Sequence, residues 1–315
     1  MTGYVLRRLG AAVLVLWAAF TVSFAVLYLL PSDPVSIMLD AANPGGTVDP
    51  EQVAELSAQY GFDRPPLEQY VVLLGRAVTG DLGVSVTSGA PVSQLLADAF
   101  PQTLALTSFA LGLALLLGGA IAAISSWSRS TRLRGALLSL PPLGVSMPTF
   151  WIGLLLLQLL SFRLPIFPAV GNQGFPSLVL PAVTLAIPLS AVIAQVLARS
   201  MRTAWDAPYV ETALAKGASR GRVQWRHVTR NAALPALTLL GIAVGNLLAG
   251  AVVVETVFSR SGFGGLVEKA VRTQDIPVVQ GVVVVGALVF VVVNLVVDLA
   301  YPALDPRIAR TPATA

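Results

Sequence analysis

Long stretches without a charged residue dominate the chain, and each is long enough to cross a lipid bilayer as a helix. A hydrocarbon core about 30 Å thick needs roughly 20 apolar residues at about 1.5 Å of rise per residue. The stretches cover residues 9–30, 99–128, 135–162, 177–198, 231–254 and 276–297. The fourth starts near Ser177 because several prolines and glycines precede it. The pattern predicts an all-α integral membrane protein with six transmembrane helices.

The first apolar stretch follows Arg7 and Arg8, an arrangement that also occurs in secretory signal peptides. Its apolar run exceeds the about 7–15 residues of a signal peptide's core. The Pro31-Ser32-Asp33-Pro34 segment that follows does not resemble a small-residue cleavage site. We therefore expect this stretch to be a retained membrane helix.

The composition agrees with a membrane protein, since 55% of the residues are hydrophobic and only 11% are charged. Soluble domains carry about 25% charged residues, so too few polar side chains are present to cover a water-exposed surface. The formal net charge of +4 is also compatible with nucleic-acid binding, and the positions of the basic residues decide between the two readings.

Basic residues are concentrated in alternate connections between the predicted helices. With a cytoplasmic N-terminus, fourteen of the 20 basic residues fall in cytoplasmic segments, together with only three acidic residues. This is the distribution that the positive-inside rule describes. We predict that both termini are cytoplasmic in a multi-pass protein of the cell membrane. The basic charge then reflects membrane topology, and no nucleic-acid partner is expected.

Two connections are too long to be simple turns. Residues 31–102 contain nine acidic residues and are predicted to form an ordered extracytoplasmic element, with helical pieces at 51–60 and 69–74. Residues about 199–231 form a basic cytoplasmic loop. The predicted divisions are the N-terminal end and first helix (1–30), the extracytoplasmic element (31–102), a five-helix core with the loop (103–308), and a cytoplasmic tail (309–315).

The sequence lacks the residues that most catalytic chemistry requires. Cysteine is absent, His227 is the one histidine, and neither Lys216 nor Lys269 lies in a phosphate-binding glycine loop. The chain is therefore not expected to be an enzyme by itself, nor to hold a cofactor or a metal. The six stretches carry no charged residue within them, apart from Asp298 at the very end of the sixth, whereas ion-driven transporters usually carry such groups inside the membrane. The energy source is predicted to lie on another polypeptide.

Residues 208–235 predict a short helix, a glycine turn and a second helix. Pro208 suits the first turn of a helix that ends near Lys216, and Gly217 suits its C-terminal turn. A second helix begins near Arg220. Its apolar and basic residues alternate (Val223, Trp225 and Val228; Arg222, Arg226 and Arg230). This pattern favours either a compact knob in the cytosol or a basic amphipathic loop resting on anionic lipid.

Glu211, Ala213 and Gly217 resemble the Glu-Ala-Ala-x-x-x-Gly signature of importer permeases, with Thr212 in place of the first alanine. Sixteen residues separate Gly217 from Leu234, a longer spacing than the general pattern and similar to the peptide-importer branch. Further similar segments occur in order along the whole chain, at residues 6–9, 29–34, 60–65, 80–85, 91–92, 146–151, 253–258, 277–281 and 304–307. The chain resembles the first of the two permeases in dipeptide, oligopeptide and nickel importers.

This resemblance implies the type I permease fold of ATP-binding-cassette (ABC) importers. It implies a second homologous permease, two ATP-binding subunits that carry ATP and Mg²⁺, an extracytoplasmic substrate-binding protein and surrounding membrane lipid. This chain would form half of the pathway for dipeptides or oligopeptides. In that family the cytoplasmic loop is the coupling helix that docks on the ATPase. The residues expected at this contact are Tyr209, Glu211, Thr212, Ala213, Lys216, Gly217, Ala218, Arg220 and Arg222.

Two other functions remain compatible with the sequence. A nickel or other small-solute importer would use the same permease architecture, although the absence of cysteine, and of histidine in the predicted spans, favours peptides over nickel. An ATP-independent secondary transporter or channel is the more distant alternative, since the spans carry no charged group within them.

Overall fold

The computed structural model describes residues 2–28, 50–61 and 63–304 of the 315-residue chain. Helices make up most of this part of the protein, and β-pairing within it is limited to one isolated antiparallel bridge between Val84 and Pro91. The family-like segment at residues 29–34, residues 31–49 of the predicted extracytoplasmic element and the predicted tail at 309–315 lie outside the described residues. So does the side chain of Asp298.

Twelve α-helices occur in the described part of the chain, two of which continue into π-helical turns. They are α1 (Thr2–Tyr28), α2 (Pro50–Tyr60), α3 (Pro66–Val78), α4 (Val92–Trp127), α5 (Thr131–Ser146), α6 (Thr149–Leu156, continuing as the π-helical Leu157–Arg163), α7 (Pro176–Trp205), α8 (Pro208–Ala215), α9 (Arg220–Val223, continuing as the π-helical Gln224–Val228), α10 (Thr229–Val257), α11 (Phe263–Arg272) and α12 (Ile276–Leu304).

Four helices in the described part are long and apolar enough to cross a membrane, namely Leu6–Tyr28 of α1, α4, α7 and Ile276–Val296 of α12. A shorter apolar helix, Gly241–Val257, lies in α10. The predicted all-α membrane class is confirmed, while the count of six spans and the side on which the termini lie stay predictions.

The third predicted span differs from the expectation of one continuous helix. It consists of α5 and α6, which meet at a bend of 104°. Met147, between them, is extended (φ −91°, ψ 132°), and Pro148 precedes the first turn of α6. A proline disfavours helical geometry in the residue before it, so the Met147-Pro148 pair accounts for the break.

The chain divides into two compact units, Met1–Thr103 with Ser261–Val292 and Leu104–Arg260 with Val293–Ala315. In the first unit, α3 packs on α1 through Tyr70. The Tyr70 hydroxyl lies 2.9 Å from Thr21 Oγ1, and its ring centroid is 5.3 Å from that of Phe24. The helices predicted at 51–60 and 69–74 are confirmed as α2 and as part of α3.

A buried carboxylate fixes the turn before α4 in the same unit. Asp275, only 2% exposed, accepts hydrogen bonds from Ser85 Oγ (2.5 Å), Thr87 Oγ1 (2.7 Å), and the amides of Val86 (3.2 Å) and Thr87 (3.3 Å). Four donors around one carboxylate satisfy most of its acceptor capacity. Asp275 therefore joins the start of α12 to the segment that leads into α4.

The second unit has its main apolar core between α4, α6, α7 and α10. Its buried members are Leu106, Ala110, Leu157, Leu180, Ala182, Leu185, Leu247, Ala251, Val254 and Phe258. Helices α4 and α7 approach closely at Gly118, where an added Cβ would lie 2.6 Å from the Ser190 carbonyl oxygen and 2.9 Å from Ile193. Small residues permit such approaches between membrane helices.

Arg260 lies just after the C-terminal end of α10 and contacts the connection that precedes α7, the first turn of α7 and the last turn of α10. Its Nη1 donates to the carbonyl oxygens of Gly171 (3.1 Å) and Ser177 (2.9 Å), while its amide donates to the Glu255 carbonyl at 2.8 Å. Burial lowers the pKa of Arg260, and the charge of the Glu255 carboxylate opposes this shift. The guanidinium thus ties the 164–175 connection to the start of α7.

Candidate functional site

The connection after α7 folds as predicted, into a short helix, a glycine turn and a second helix. Helix α8 ends in a Schellman motif, in which the Gly217 amide donates to the Leu214 carbonyl (2.9 Å) and the Ala218 amide to the Ala213 carbonyl (3.1 Å). Gly217 has φ +82°, and an added Cβ would have no atom within 4 Å. Backbone conformation, rather than lack of space, therefore requires glycine here.

One face of α8 packs on the protein and sets the orientation of the loop. Val210 is 2% exposed and belongs to a cluster with Met201, Val223 and Val228, against which Ala213 and Ala218 pack. Of the predicted docking residues, Ala213 and Ala218 therefore lie on the inner side. Their small size allows α8 to lie close to this cluster.

The opposite face of α8 and its turn form an exposed tip, defined by Tyr209, Glu211, Thr212, Lys216 and Gly217. Of the remaining predicted residues, Arg222 is exposed, whereas Arg220 is half-buried and places its guanidinium 4.9 Å from the centre of the Trp205 ring. All nine predicted docking residues thus lie in one loop. Five of them form the exposed tip, Ala213 and Ala218 lie on the inner face of the loop, and Arg220 and Arg222 lie on the neighbouring helix α9.

The second helix, α9, has a side-chain cap at its N-terminus and changes from α-helical to π-helical geometry after Val223. The Ser219 hydroxyl oxygen accepts from the Arg222 amide at 3.4 Å. The following turn, Gln224–Val228, is π-helical, with the Thr229 amide bonded to the Gln224 carbonyl. Because a π turn relates residues five apart, Val223 and Val228 both point into the protein, and each is fully buried.

Gln224 anchors this turn with its side chain. It is 1% exposed, and its Oε1 accepts from Trp205 Nε1 (2.7 Å) and from Ser126 Oγ (3.4 Å). Its Nε2 lies 3.6 Å from Met201 Sδ. Sequence reasoning did not identify Gln224, Trp205 or Ser126. The feature of the sequence that could have indicated a structural role for Gln224 is that it is an uncharged polar residue next to Val223 in a segment otherwise rich in arginine.

The loop presents a basic surface beside its tip, since Arg222, Arg226 and Arg230 are exposed. Glu211 is the acidic residue of α8 and lies in its first turn, where a negative charge stabilises the helix. Over residues 2–28, 50–61 and 63–304, no group of three or more His, Asp or Glu side chains is arranged to hold a metal ion.

These features define a polytopic helical membrane protein with a rigid loop outside its apolar helices. Residues 87–310 match the family described as "Binding-protein-dependent transport system inner membrane component", and residues 1–107 match the N-terminal part described for the same kind of component. The chain belongs to this family of ABC importer permeases, whose members are non-catalytic inner-membrane subunits. Membership implies ATP-hydrolysing and substrate-binding partners.

Curated relatives match nearly the full length. A probable peptide ABC transporter permease, y4tP of Sinorhizobium fredii, is 34% identical over 97% of this chain and 98% of its own. The dipeptide permease DppB of Escherichia coli K12 is 35% identical over 98% and 99%. The glutathione permease GsiC of the same strain is 33% identical over 98% and 99%.

Two solved structures share the fold. An inward-facing structure of the MetNI methionine ABC transporter superposes with a TM-score of 0.58 at 15% identity, covering 67% of this chain and 96% of that one. An amino acid ABC transporter solved with histidines gives a TM-score of 0.50 at 18% identity, covering 67% and 94%. The expected ABC permease fold is thereby confirmed.

Proposed function

We propose that the chain is one of two homologous permease subunits in an importer of short peptides. It would form half of the translocation pathway and work with two ATP-binding subunits and an extracytoplasmic substrate-binding protein. The observation that carries this proposal is the full-length similarity, at 33–35% identity, to relatives named as dipeptide, glutathione and peptide permeases. Short peptides are the cargo class common to these names.

The exposed tip of α8 supports a role as the site where the ATPase docks. Thr212 carries a short side chain and Gly217 carries none, and the tip stands on a base fixed by Val210 and Gln224. A small, rigid projection can enter a socket with little loss of side-chain freedom. ATP-driven movement of the ATPases would then act on α7 and α10, the two long helices that flank the loop.

The same proposal places the loop in the cytoplasm and the 31–102 element outside the cell. This orientation follows from the excess of basic residues in residues 199–231 and the positive-inside rule. Two reporter enzymes can be fused after residue 315, one that is active only in the cytoplasm and one that is active only in the periplasm. We expect activity from the cytoplasmic reporter alone. Activity of a periplasmic reporter at that point would contradict the orientation.

Docking is tested with a matched pair of bulky substitutions. Thr212 and Thr203 are both exposed, and each hydroxyl donates to the carbonyl four residues earlier (3.2 and 3.3 Å). Thr212→Trp is expected to prevent copurification of the ATPases, because the tip no longer fits, whereas Thr203→Trp is expected to retain them. Equal retention of the ATPases by both variants would contradict docking at the tip.

The cargo is tested with the complete transporter in proteoliposomes. Di- and tripeptides presented with the binding protein are expected to stimulate ATP hydrolysis and to accumulate inside. Ni²⁺ alone is expected to do neither. Stimulation by Ni²⁺ without peptide would assign the chain to a metal importer of the same fold.

A further inference from the structure

Two exposed tryptophans adjoin the hydrogen bond that connects α4 to the second half of the loop. Ser126 Oγ donates to Gln224 Oε1 at 3.4 Å, and the residues that follow in each segment are Trp127 and Trp225. Their side chains are 56% and 67% exposed. Tryptophan is enriched at membrane–water interfaces, where its ring meets the acyl chains and its N–H meets polar groups.

The depth of Gln224 relative to the membrane follows from the two long apolar helices whose ends it joins. Trp127 is the last residue of α4, and Trp205, which donates to Gln224, is the last residue of α7. Arg199, the first charged residue of α7, precedes Trp205 by six positions, which is about 9 Å along a helix axis. A headgroup layer is about 5–8 Å deep. With Arg199 at the hydrocarbon boundary, Gln224 lies near the aqueous edge of this layer, and the exposed Trp225 ring must reach back from there towards the acyl chains.

Basic side chains surround Trp225 on the exposed surface. Arg222 and Arg226 are exposed, and neither forms an ion pair with an acidic side chain in the described part of the chain. Long arginine side chains reach several ångströms along an interface and pair with phosphates. An exposed indole between two such arginines matches the chemistry of an anionic lipid surface.

We propose that residues 220–230 rest on the anionic headgroups of the cytoplasmic leaflet, with the Trp225 ring in the interface and Arg222 and Arg226 on lipid phosphates. Only α8 and the Gly217 turn extend beyond this layer to the ATPase, so Arg222, which the family resemblance implies at the ATPase contact, is assigned to lipid instead. The inference rests on the proposed function, because it uses the cytoplasmic orientation of the loop, and it divides the loop between two partners.

The π turn supports this division. Because Val223 and Val228 both point inwards, the intervening Trp225 and Arg226 are held on the outer side. A lipid contact on this side braces the base of the loop at the membrane while leaving the tip of α8 free to contact another subunit. The other candidate occupant of the Trp225 surface is the ATPase itself, and the experiments distinguish the two.

The first experiment measures the depth of Trp225 in the assembled transporter. The complex is placed in nanodiscs whose lipids carry bromine near the headgroup end of the acyl chain, and tryptophan quenching is compared between the wild type and Trp225→Phe. We expect the substitution to remove part of the quenchable fluorescence, and we expect the same of Trp127→Phe at the end of α4, which serves as the positive control. An unchanged quenchable fraction in Trp225→Phe would place the ring away from lipid and overturn the proposal.

The second experiment measures dependence on anionic lipid. Each basic residue at an anionic surface contributes about five-fold to binding, so Arg222→Gln/Arg226→Gln is expected to need several-fold more phosphatidylglycerol for half-maximal ATPase activity. The charge-matched control is Arg76→Gln/Arg272→Gln, which removes two exposed arginines outside the loop and is expected to keep the wild-type dependence.

Copurification in detergent separates this inference from the proposed function. If wild-type chains fail to bind ATPases, the proposed function is wrong. If the wild type binds them and Arg222→Gln/Arg226→Gln releases them without changing the phosphatidylglycerol dependence, the surface belongs to the ATPase and the lipid assignment is wrong. Retained ATPases together with a raised phosphatidylglycerol requirement support the lipid contact.

Discussion

Trp205 Nε1 donates a hydrogen bond to Gln224 Oε1 at 2.7 Å, and the glutamine is almost completely buried. This contact joins the last residue of α7 to the π turn that leads into α10. Together with the hydrogen bond from Ser126 Oγ to the same oxygen, it sets the position of the loop between them, because directional hydrogen bonds fix a register that the surrounding apolar contacts do not. The loop and the two long helices are thereby expected to move together.

Gln224→Leu is expected to loosen the loop, because it leaves the Trp205 N–H and the Ser126 hydroxyl without their acceptor. The cost of an unsatisfied buried donor is about 1–3 kcal/mol. The expected result is a lower thermal unfolding temperature of the purified complex and weaker retention of the ATPases.

A double-mutant cycle supplies the control for this prediction. Trp205→Phe removes the donor itself, so the pair Trp205→Phe/Gln224→Leu is expected to cost less than the sum of the two single changes. If the free energy of unfolding lost in the double variant equals the sum of the losses in Trp205→Phe and Gln224→Leu, the hydrogen bond between the two side chains does not contribute to stability.

Gly217→Ala is expected to weaken ATPase binding, because an alanine at φ +82° strains the turn that carries the tip. A left-handed non-glycine residue costs about 1–2 kcal/mol, and asparagine tolerates this region better. Gly217→Asn is therefore expected to have the smaller effect. The measurement is the affinity of the ATPases for the permease complex in nanodiscs.

Gly221 provides a matched control for the turn. An added Cβ would meet no atom within 4 Å at either glycine, but Gly221 lies in helical α9 and not at positive φ. Gly221→Ala is expected to leave ATPase binding unchanged. If Gly217→Ala and Gly221→Ala weaken ATPase binding to a similar extent, the effect comes from the added methyl group and not from backbone strain at residue 217.

Much of this architecture follows from local sequence rules. Charge-free stretches identify the long apolar helices, and the Pro208 and Gly217 positions identify α8 and its turn because each residue has a distinct backbone preference. The Glu211-Thr212-Ala213 and Gly217 pattern resembles the importer-permease signature and thereby predicts that this loop is the docking site. Its division into an exposed tip and an inner face follows from the helical period and the apolar position of Val210.

The remaining features depend on contacts distant in sequence. The π turn at Gln224–Val228 begins with Gln224, whose side chain accepts a hydrogen bond from Trp205, nineteen positions earlier, and no local rule predicts that partner. The break at Met147-Pro148 is a case in which a proline has the local effect expected of it, although the apolar composition on both sides predicts a single span. The close approaches of helices also depend on distant residues: an added Cβ at Gly118 would meet the Ser190 carbonyl oxygen of a neighbouring helix, and one at Gly241 would meet the side chain of Asn294.

Gly118→Ala is expected to destabilise the protein, because the new methyl group would overlap the Ser190 carbonyl oxygen and Ile193. Overpacking of this kind costs about 1–3 kcal/mol. Gly119→Ala, one position along, is the matched control, since its Cβ would meet no atom within 4 Å. Thermal unfolding in detergent measures both. Equal unfolding temperatures for the two variants would contradict the close approach of α4 and α7.

Asp275→Asn is expected to disorder the segment before α4. The substitution replaces one acceptor oxygen by an NH₂ group that faces the donors of Ser85, Val86 and Thr87, so some of the four hydrogen bonds are lost. Hydrogen bonds to a charged group are worth about 1.5–3 kcal/mol. The expected result is faster hydrogen exchange at residues 83–91 and a lower unfolding temperature.

Asp81→Asn is the control for the buried carboxylate. Asp81 is exposed and accepts from one backbone amide, that of Gly83, at 2.9 Å. An exposed hydrogen bond of this kind contributes about 0.5–1.5 kcal/mol, and the amide oxygen of asparagine can still accept it. Exchange at 83–91 is therefore expected to stay close to wild type. If Asp81→Asn accelerates exchange as much as Asp275→Asn does, the segment is held by its own turn and not by α12.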